Sequence, residues 1–192
     1  MPPLVVMARE VESQGLFAAA GVPVLYTGVG KINAAHALTR KLTEHRLTSG
    51  SLPRVINFGT AGSHTLPTGS LVACRSFVQR DMDVTALGFS LGTTPFDSVP
   101  ALIEFPAAVP SLPHYVCSTG DSFQTRREIA SDVLDMEAYA LAKVCWLEKA
   151  EFTCVKYITD GADHAAATDW QANLPKAAAE FLRIYRSLEA GP

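Results

Sequence analysis

Val55-Ile56-Asn57-Phe58-Gly59-Thr60-Ala61-Gly62 is an apolar run that meets a glycine-rich turn, and the rest of the chain repeats its plan. A short run of this kind, bounded by glycine, predicts a buried strand from Val55 to Phe58, stopped by Gly59. Toward the N-terminus, Leu4 to Met7 predicts a first strand and residues 9–20 a helix. Val24 to Tyr26 predicts a strand that runs into Gly28-Val29-Gly30. Ile32, Ala35, Leu38 and Leu42 then recur at helical spacing, so a helix is expected to about His45. Toward the C-terminus, strands are expected at Ser70 to Val78, Tyr115 to Ser118 and Phe152 to Ile158. Helices are expected at Met136 to Glu148 and Trp170 to Leu188. Strands alternating with helices imply an α/β fold with a central mixed, largely parallel sheet flanked by helices.

The stretch from Gly88 to Pro113 breaks this rhythm. It holds five prolines and two glycines with no clear period, and it is expected to be an irregular functional loop or a disordered one. No repeat or low-complexity tract divides the 192 residues, so one domain, 1–192, is expected.

Bulk properties exclude several classes. A net charge of -3 without a basic patch argues against a nucleic-acid partner. No apolar run is long enough to span a bilayer, and Met1-Pro2-Pro3-Leu4 lacks the pattern of a signal peptide. Cys74, Cys117, Cys145 and Cys154 form no C-x-x-C pair and have no histidine at metal spacing. They read as small buried hydrophobes in a reducing compartment, the cytoplasm. No metal and no cofactor are expected.

In open α/β sheets ligands gather at the carboxyl ends of strands. Here those ends read Ala8-Arg9-Glu10, Gly28-Val29-Gly30-Lys31, Gly59-Thr60-Ala61-Gly62-Ser63, Gly120-Asp121-Ser122-Phe123 and Thr159-Asp160-Gly161-Ala162-Asp163. Two carboxyl groups, Glu10 and Asp160, suit glycosidic hydrolysis, in which one protonates the leaving group and the other activates water. On pattern alone Asp160 equally fits a helix N-cap, and Glu10 a solvated first-turn residue. Gly28-Val29-Gly30-Lys31 lacks the G-x-x-x-x-G-K-[ST] spacing of a phosphate loop.

Taken in order, the motifs Met7-Ala8-Arg9-Glu10-Val11, Thr27 to Ala35, Val55 to Gly62, Asp81 to Phe89, Gly120-Asp121-Ser122-Phe123, Asp135-Met136-Glu137-Ala138 and Ile158 to Asp163 cover most of the chain. This ordered set resembles the methylthioadenosine/S-adenosylhomocysteine nucleosidases, within the purine nucleoside phosphorylase superfamily. The resemblance implies that family's three-layer fold and cleavage of an N-ribosyl bond, with a nucleoside as small-molecule partner. It implies Glu10 as general base on the attacking water and Asp160 as the group that protonates the purine at N7. Glu137 is then expected to bind the ribose hydroxyls and Met136 to pack on the sugar. Thr60, where serine is usual, hydrogen-bonds near sugar and water, and Ala61 and Gly62 line the same turn. Lys156 stands in place of an arginine near the catalytic water. Phe123 stacks on the base, with Gln124 beside it where an aliphatic residue is usual, and Trp170 covers the 5′ side.

The phosphorylases need arginines near the strand end before the Gly-Ser/Thr turn, whereas Asn57-Phe58-Gly59 offers none, so water is the expected nucleophile. Gln124, whose amide both donates and accepts, and the shortened segments around 88–115 and 124–135 leave the base and the 5′ substituent open. A futalosine-type hydrolase, a phosphorylase and a non-catalytic nucleoside-binding protein stay as alternatives. The family implies a homodimer, for which Phe58, Phe89 and Phe105 are candidate interface residues.

Overall fold

A computed structural model describes residues 1–106, 109–122, 131–162 and 166–190. Eight strands are present among them: β1 (Leu4–Met7), β2 (Val24–Tyr26), β3 (Val55–Gly62), β4 (Leu71–Gln79), β5 (Leu102–Glu104), β6 (His114–Thr119), β7 (Val133–Asp135) and β8 (Phe152–Asp160). The α-helices are α1 (Leu16–Ala19), α2 (Lys31–Ser49), α3 (Ala138–Glu148) and α4 (Ala166–Glu189).

The sheet is mixed, with parallel pairing predominant. β1 pairs in parallel with β2 and β3, β3 with β8, β4 with β6 and β6 with β7, while β3–β7, β4–β5 and β4–β8 are antiparallel. Following β3, β7, β6, β4 and β8 returns to β3, so these five strands close on themselves. Closure brings distant strand ends to one rim. Gly62 pairs with both Leu134 and Asp160, and the β3–β8 register shifts there between Ala61 and Gly62. A register irregularity of this kind re-aims side chains at a rim.

Strand alternation sorts the apolar side chains onto two faces. Val6, Val55, Phe152, Cys154 and Ile158 pack in one core with Leu38 and Leu42 of α2 and Leu141 and Cys145 of α3. Val5, Met7, Ile56, Phe58, Val155 and Tyr157 pack in a second with Phe17 of α1 and Ala177, Phe181 and Ile184 of α4. Helices therefore cover both faces of the sheet, giving three layers. All four cysteines are buried and free.

The structure changes several expectations. The strand from Val55 runs through Gly59 to Gly62, because Gly59 serves space rather than chain reversal. A Cβ there would lie 2.9 Å from Lys156 Nζ and 3.6 Å from Glu12 Oε1. The helix expected over residues 9–20 breaks into a 3-10 turn, Glu10–Glu12, and the short α1. Gln14 (φ 48°) and Gly15 (φ 72°) adopt left-handed conformations that interrupt it. The expected loop of residues 88–113 contributes β5 on the edge of β4 and buries Val99, Ile103 and Val109. Phe58, considered for an interface, is fully buried against Phe17 and Phe181. Phe105 packs on Phe77, Phe152 and Trp146.

Candidate active site

A cavity of about 260 Å3 opens at the rim where β3, β7 and β8 end. Glu12, Thr60, Ala61, Gly62, Met136, Glu137, Asp160 and Trp170 line it. Thr60, Ala61, Gly62, Met136, Glu137 and Asp160, all anticipated from sequence, thus converge on one hollow. Glu10 does not. Its side chain is exposed on the 3-10 turn and outside the cavity, whereas Glu12, two residues on, is only 4% exposed.

The short turn selects Glu12. Its Oε2 accepts the Ala8 and Arg9 N–H groups at 3.1 Å each, the Arg9 bond closing the turn in the manner of a capping box. Its Oε1 accepts the Thr60 N–H and the Thr60 hydroxyl, both at 2.9 Å. Four donors surround one carboxylate, so its position is fixed by the ends of both β1 and β3. Thr60 Oγ1 in turn accepts the Trp170 indole N–H at 2.9 Å, tying α4 to the same point.

Glu137 immediately precedes α3 without a side-chain capping bond, and its Oε1 accepts the Gly30 N–H at 2.8 Å. Burial and then the negative charge of Asp135 push its carboxyl up to about 8, against the opposing pull of Lys156 and the Gly30 N–H. Gly28-Val29-Gly30-Lys31 therefore cradles a carboxylate of the protein. Gly30 has φ 95°, and a Cβ there would meet Asp121 Oδ1 at 3.1 Å. The loop is pinned by Lys31, whose N–H donates to Asp121 Oδ1 at 2.8 Å and whose ammonium pairs with Asp81 and Asp121.

Asp160 ends β8. Its Oδ1 accepts the Ala162 N–H at 3.0 Å and its Oδ2 the Thr159 hydroxyl at 2.8 Å. Gly62 leaves room for it, since a Cβ on residue 62 would lie 2.7 Å from Asp160 Oδ1.

Lys156 lies behind the cavity wall, 1% exposed and absent from the lining. Its Nζ pairs with Asp135 Oδ2 at 2.8 Å. Burial works against its charge, but Asp135 and the other nearby acidic groups hold its ammonium well above the usual range. Burial likewise opposes ionisation of Asp135. Lys156, the Thr119 hydroxyl at 2.5 Å and the Ala138 N–H at 2.8 Å nevertheless hold it below the usual carboxylate range. Lys156 thus contacts a neighbouring carboxylate, and not the cavity as the sequence reading expected, because its ammonium is held by the buried Asp135. Phe123 and Gln124 lie outside the described residues.

Sequence reasoning passed over Glu12 and Arg80, which also lines the cavity. For Glu12 a signal was available: Arg9 to Glu12 has the spacing at which a third-position glutamate reaches back to the turn's first N–H. Among the described residues, no group of three or more His, Cys, Asp or Glu side chains is disposed to hold a metal ion.

Comparison with known proteins supplies the context for this geometry. The chain is 31% identical over 185 residues to the 5′-methylthioadenosine/S-adenosylhomocysteine nucleosidase of Haemophilus ducreyi, covering 85% of this chain and 77% of that one. It is 31% identical over 195 residues to the enzyme of the same name from Hydrogenovibrio crunogenus, covering 88% and 81%. A Helicobacter pylori nucleosidase of that name, solved with butyl-thio-DADMe-Immucillin-A, superposes with a TM-score of 0.80 at 22% identity, covering 95% of this chain and 96% of that one. The futalosine hydrolase of Helicobacter pylori superposes with a TM-score of 0.79 at 22% identity, again covering 95% and 96%. The model of the phosphorylase superfamily matches residues 10–189, and the chain belongs to that superfamily.

Proposed function

We propose that the protein is a nucleosidase that hydrolyses the N-glycosidic bond of a purine-type nucleoside, methylthioadenosine/S-adenosylhomocysteine-like or otherwise modified, to free base and a ribose derivative. The observation that carries this reading is the convergence of Glu12, Glu137 and Asp160 on one cavity from three separate chain segments.

Each carboxyl has a distinct environment and a distinct task. Glu12 is the general base on the attacking water, in the role the resemblance assigned to Glu10. Its four hydrogen bonds hold it ready for that work at the cavity wall. Asp160 carries the proton to N7 of the departing purine, without which the base leaves slowly. Glu137 engages the ribose hydroxyls through hydrogen bonds, and its raised carboxyl lets it donate as well as accept. Met136 and Trp170 supply apolar wall to sugar and 5′ group, and Phe123 and Gln124 keep the base-contacting role that the resemblance implies. Lys156 acts through Asp135, and no substrate contact is assigned to it.

Water is the nucleophile. The N–H groups of both terminal nitrogens of Arg80 are spent on backbone carbonyls, and the Asn57 amide donates to Val6 and Phe58 carbonyls. Arg9 stands exposed at the cavity, so a phosphate nucleophile is the second reading. Exposed Ile32, Leu87 and Phe96 favour a homodimer, and four free buried thiols favour a reducing, cytoplasmic setting.

Incubation of the protein with a nucleoside panel, with chromatography of released base, tests the reading. Release without phosphate is expected. Binding without release would overturn hydrolysis, and phosphate-dependent formation of ribose 1-phosphate would select the phosphorylase. Asp160→Asn is expected to abolish release while nucleoside binding survives.

A further inference from the structure

Arg80 follows the end of β4 and is 4% exposed, yet its side-chain partners among the described residues are carbonyls and not carboxylates. Nη1 donates to Ser118 O at 2.8 Å and to Asp135 O at 2.7 Å. Nη2 donates to Gly120 O at 2.9 Å and to Ser122 O at 2.6 Å. Nε is buried without a hydrogen-bond partner among the described residues and lies against Gly120, where a Cβ would come within 3.0 Å of it. A buried guanidinium that spends four N–H groups on main-chain oxygens is a rigid planar bracket.

What it brackets is specific. Asp135 immediately precedes Met136 and Glu137, on the sugar side of the cavity. Gly120 and Ser122 follow the end of β6, and Ser122 itself lines the cavity. The Gly120 N–H donates to Asp135 O at 3.2 Å and so closes the same junction from the main chain. Arg80 itself reaches the cavity wall. We propose that Arg80 is a positioning residue that sets the spacing between the cavity wall at Ser122 and the wall at Met136 and Glu137, through the four carbonyls its guanidinium holds together. The inference rests on the hydrolase reading for its readout in turnover, and on the geometry alone for its readout in binding.

Misplacement of a substrate by about 1 Å costs on the order of 100-fold in rate. Loss of the bracket is therefore expected to lower kcat more than it raises KM. Two variants perturb it differently. Arg80→Lys keeps the charge but replaces a planar fork with one ammonium. Gly120→Ala keeps the arginine but pushes on its Cγ, Nε and Cζ, each 3.0 to 3.1 Å from the new Cβ. Gly120 is not among the glycines with positive φ, so alanine meets crowding there and not backbone strain.

The experiment measures kcat and KM for the nucleoside that the wild type hydrolyses fastest, corrected for folded fraction by circular dichroism. Dissociation constants for that nucleoside are measured in parallel. The expected result is a fall in kcat of about 10- to 100-fold in both variants with a folded protein. Unchanged kcat per folded molecule in both would overturn the proposal, because a merely structural arginine changes the folded fraction and not the turnover of what remains folded. If the wild type binds nucleosides but releases no base, the hydrolase reading fails by itself. Binding then decides: weakened affinity in both variants supports the bracket, and wild-type affinity in both overturns it.

Discussion

Replacing Glu12 by glutamine separates the tertiary structure from the motif, because the motif points to Glu10 and the fold to Glu12. All four groups around Glu12 are donors: the N–H groups of Ala8, Arg9 and Thr60 and the Thr60 hydroxyl. A glutamine amide has one acceptor oxygen; with its NH2 turned toward Thr60 the hydroxyl can reverse and accept, so at least the Thr60 N–H loses its acceptor. Hydrogen bonds to a charged group contribute about 1.5–3 kcal/mol each, so Glu12→Gln is expected to cost at least about 1.5 kcal/mol. At roughly 2–4 °C per kcal/mol for a chain of this size, the melting midpoint falls by at least about 3–6 °C. Turnover falls further. A positioned general base contributes about 100- to 10,000-fold, which is about 3–5 kcal/mol of barrier. Glu10→Gln changes an exposed side chain, so its stability shift is expected within about 0.5 kcal/mol and base release at the wild-type rate. Thermal unfolding followed by circular dichroism, and base release assayed well below both transitions, measure the two effects. Wild-type release by Glu12→Gln, or an inactive Glu10→Gln, would refute the reasoning.

Three further outcomes are expected. Gly62→Ala places a methyl 2.7 Å from Asp160 Oδ1. Release should fall about 100-fold with little change in the circular dichroism spectrum, and an unimpaired variant would show that Asp160 need not sit where it does. Glu137 holds its proton in the folded state up to about pH 8, against an ordinary value of 4.5. The folded protein therefore binds more protons between those values, and stability is greatest below the lower one. It declines as pH rises toward about 8, by at most about 1.4 kcal/mol per pH unit for one proton. In a urea titration across pH, Glu137→Gln should flatten that decline, and an unaltered slope would remove Glu137 as its source. Lys156→Met leaves Asp135 ionised and buried without its cation, at a cost of about 3–5 kcal/mol. Pairing it with Asp135→Asn should recover part of the loss, and strict additivity in urea denaturation would contradict a coupled pair.

Elements with their own period were legible from local pattern. α2 was expected from Ile32 to about His45 and spans Lys31–Ser49, because Leu38 and Leu42 recur on its buried face. β8 was expected from Phe152 to Ile158 and runs to Asp160. β7 was missed because three residues, Val133–Asp135, are too few to show a period before an apolar helix. β5 was missed because prolines crowd its surroundings and it holds only an edge of β4.

The candidate site divides the same way. The chemistry-bearing turns, Thr60-Ala61-Gly62, Met136-Glu137 and Asp160, are local motifs whose residue types and order suffice to mark them, and closure of the strands brings them to one cavity. Which of two glutamates turns inward is only hinted at in the stretch Arg9-Glu10-Val11-Glu12, by the capping spacing of Arg9 and Glu12; it is fixed by a break at Gln14 and Gly15 and by donors from Thr60, 48 residues away. Gly59 carried the same ambiguity. As a letter it reads as the end of a strand, and in the fold it is the one residue slim enough to let β3 continue past Lys156 and Glu12. Sequence by itself determined the alternation of strands and helices and the acidic turns, because period and residue chemistry are local properties. Only the tertiary structure decided which of the two neighbouring glutamates faces the cavity, that Lys156 lies behind the cavity wall and that Arg80 donates to four main-chain carbonyls beside the cavity, because burial and hydrogen-bond partners are set by residues far away in the chain.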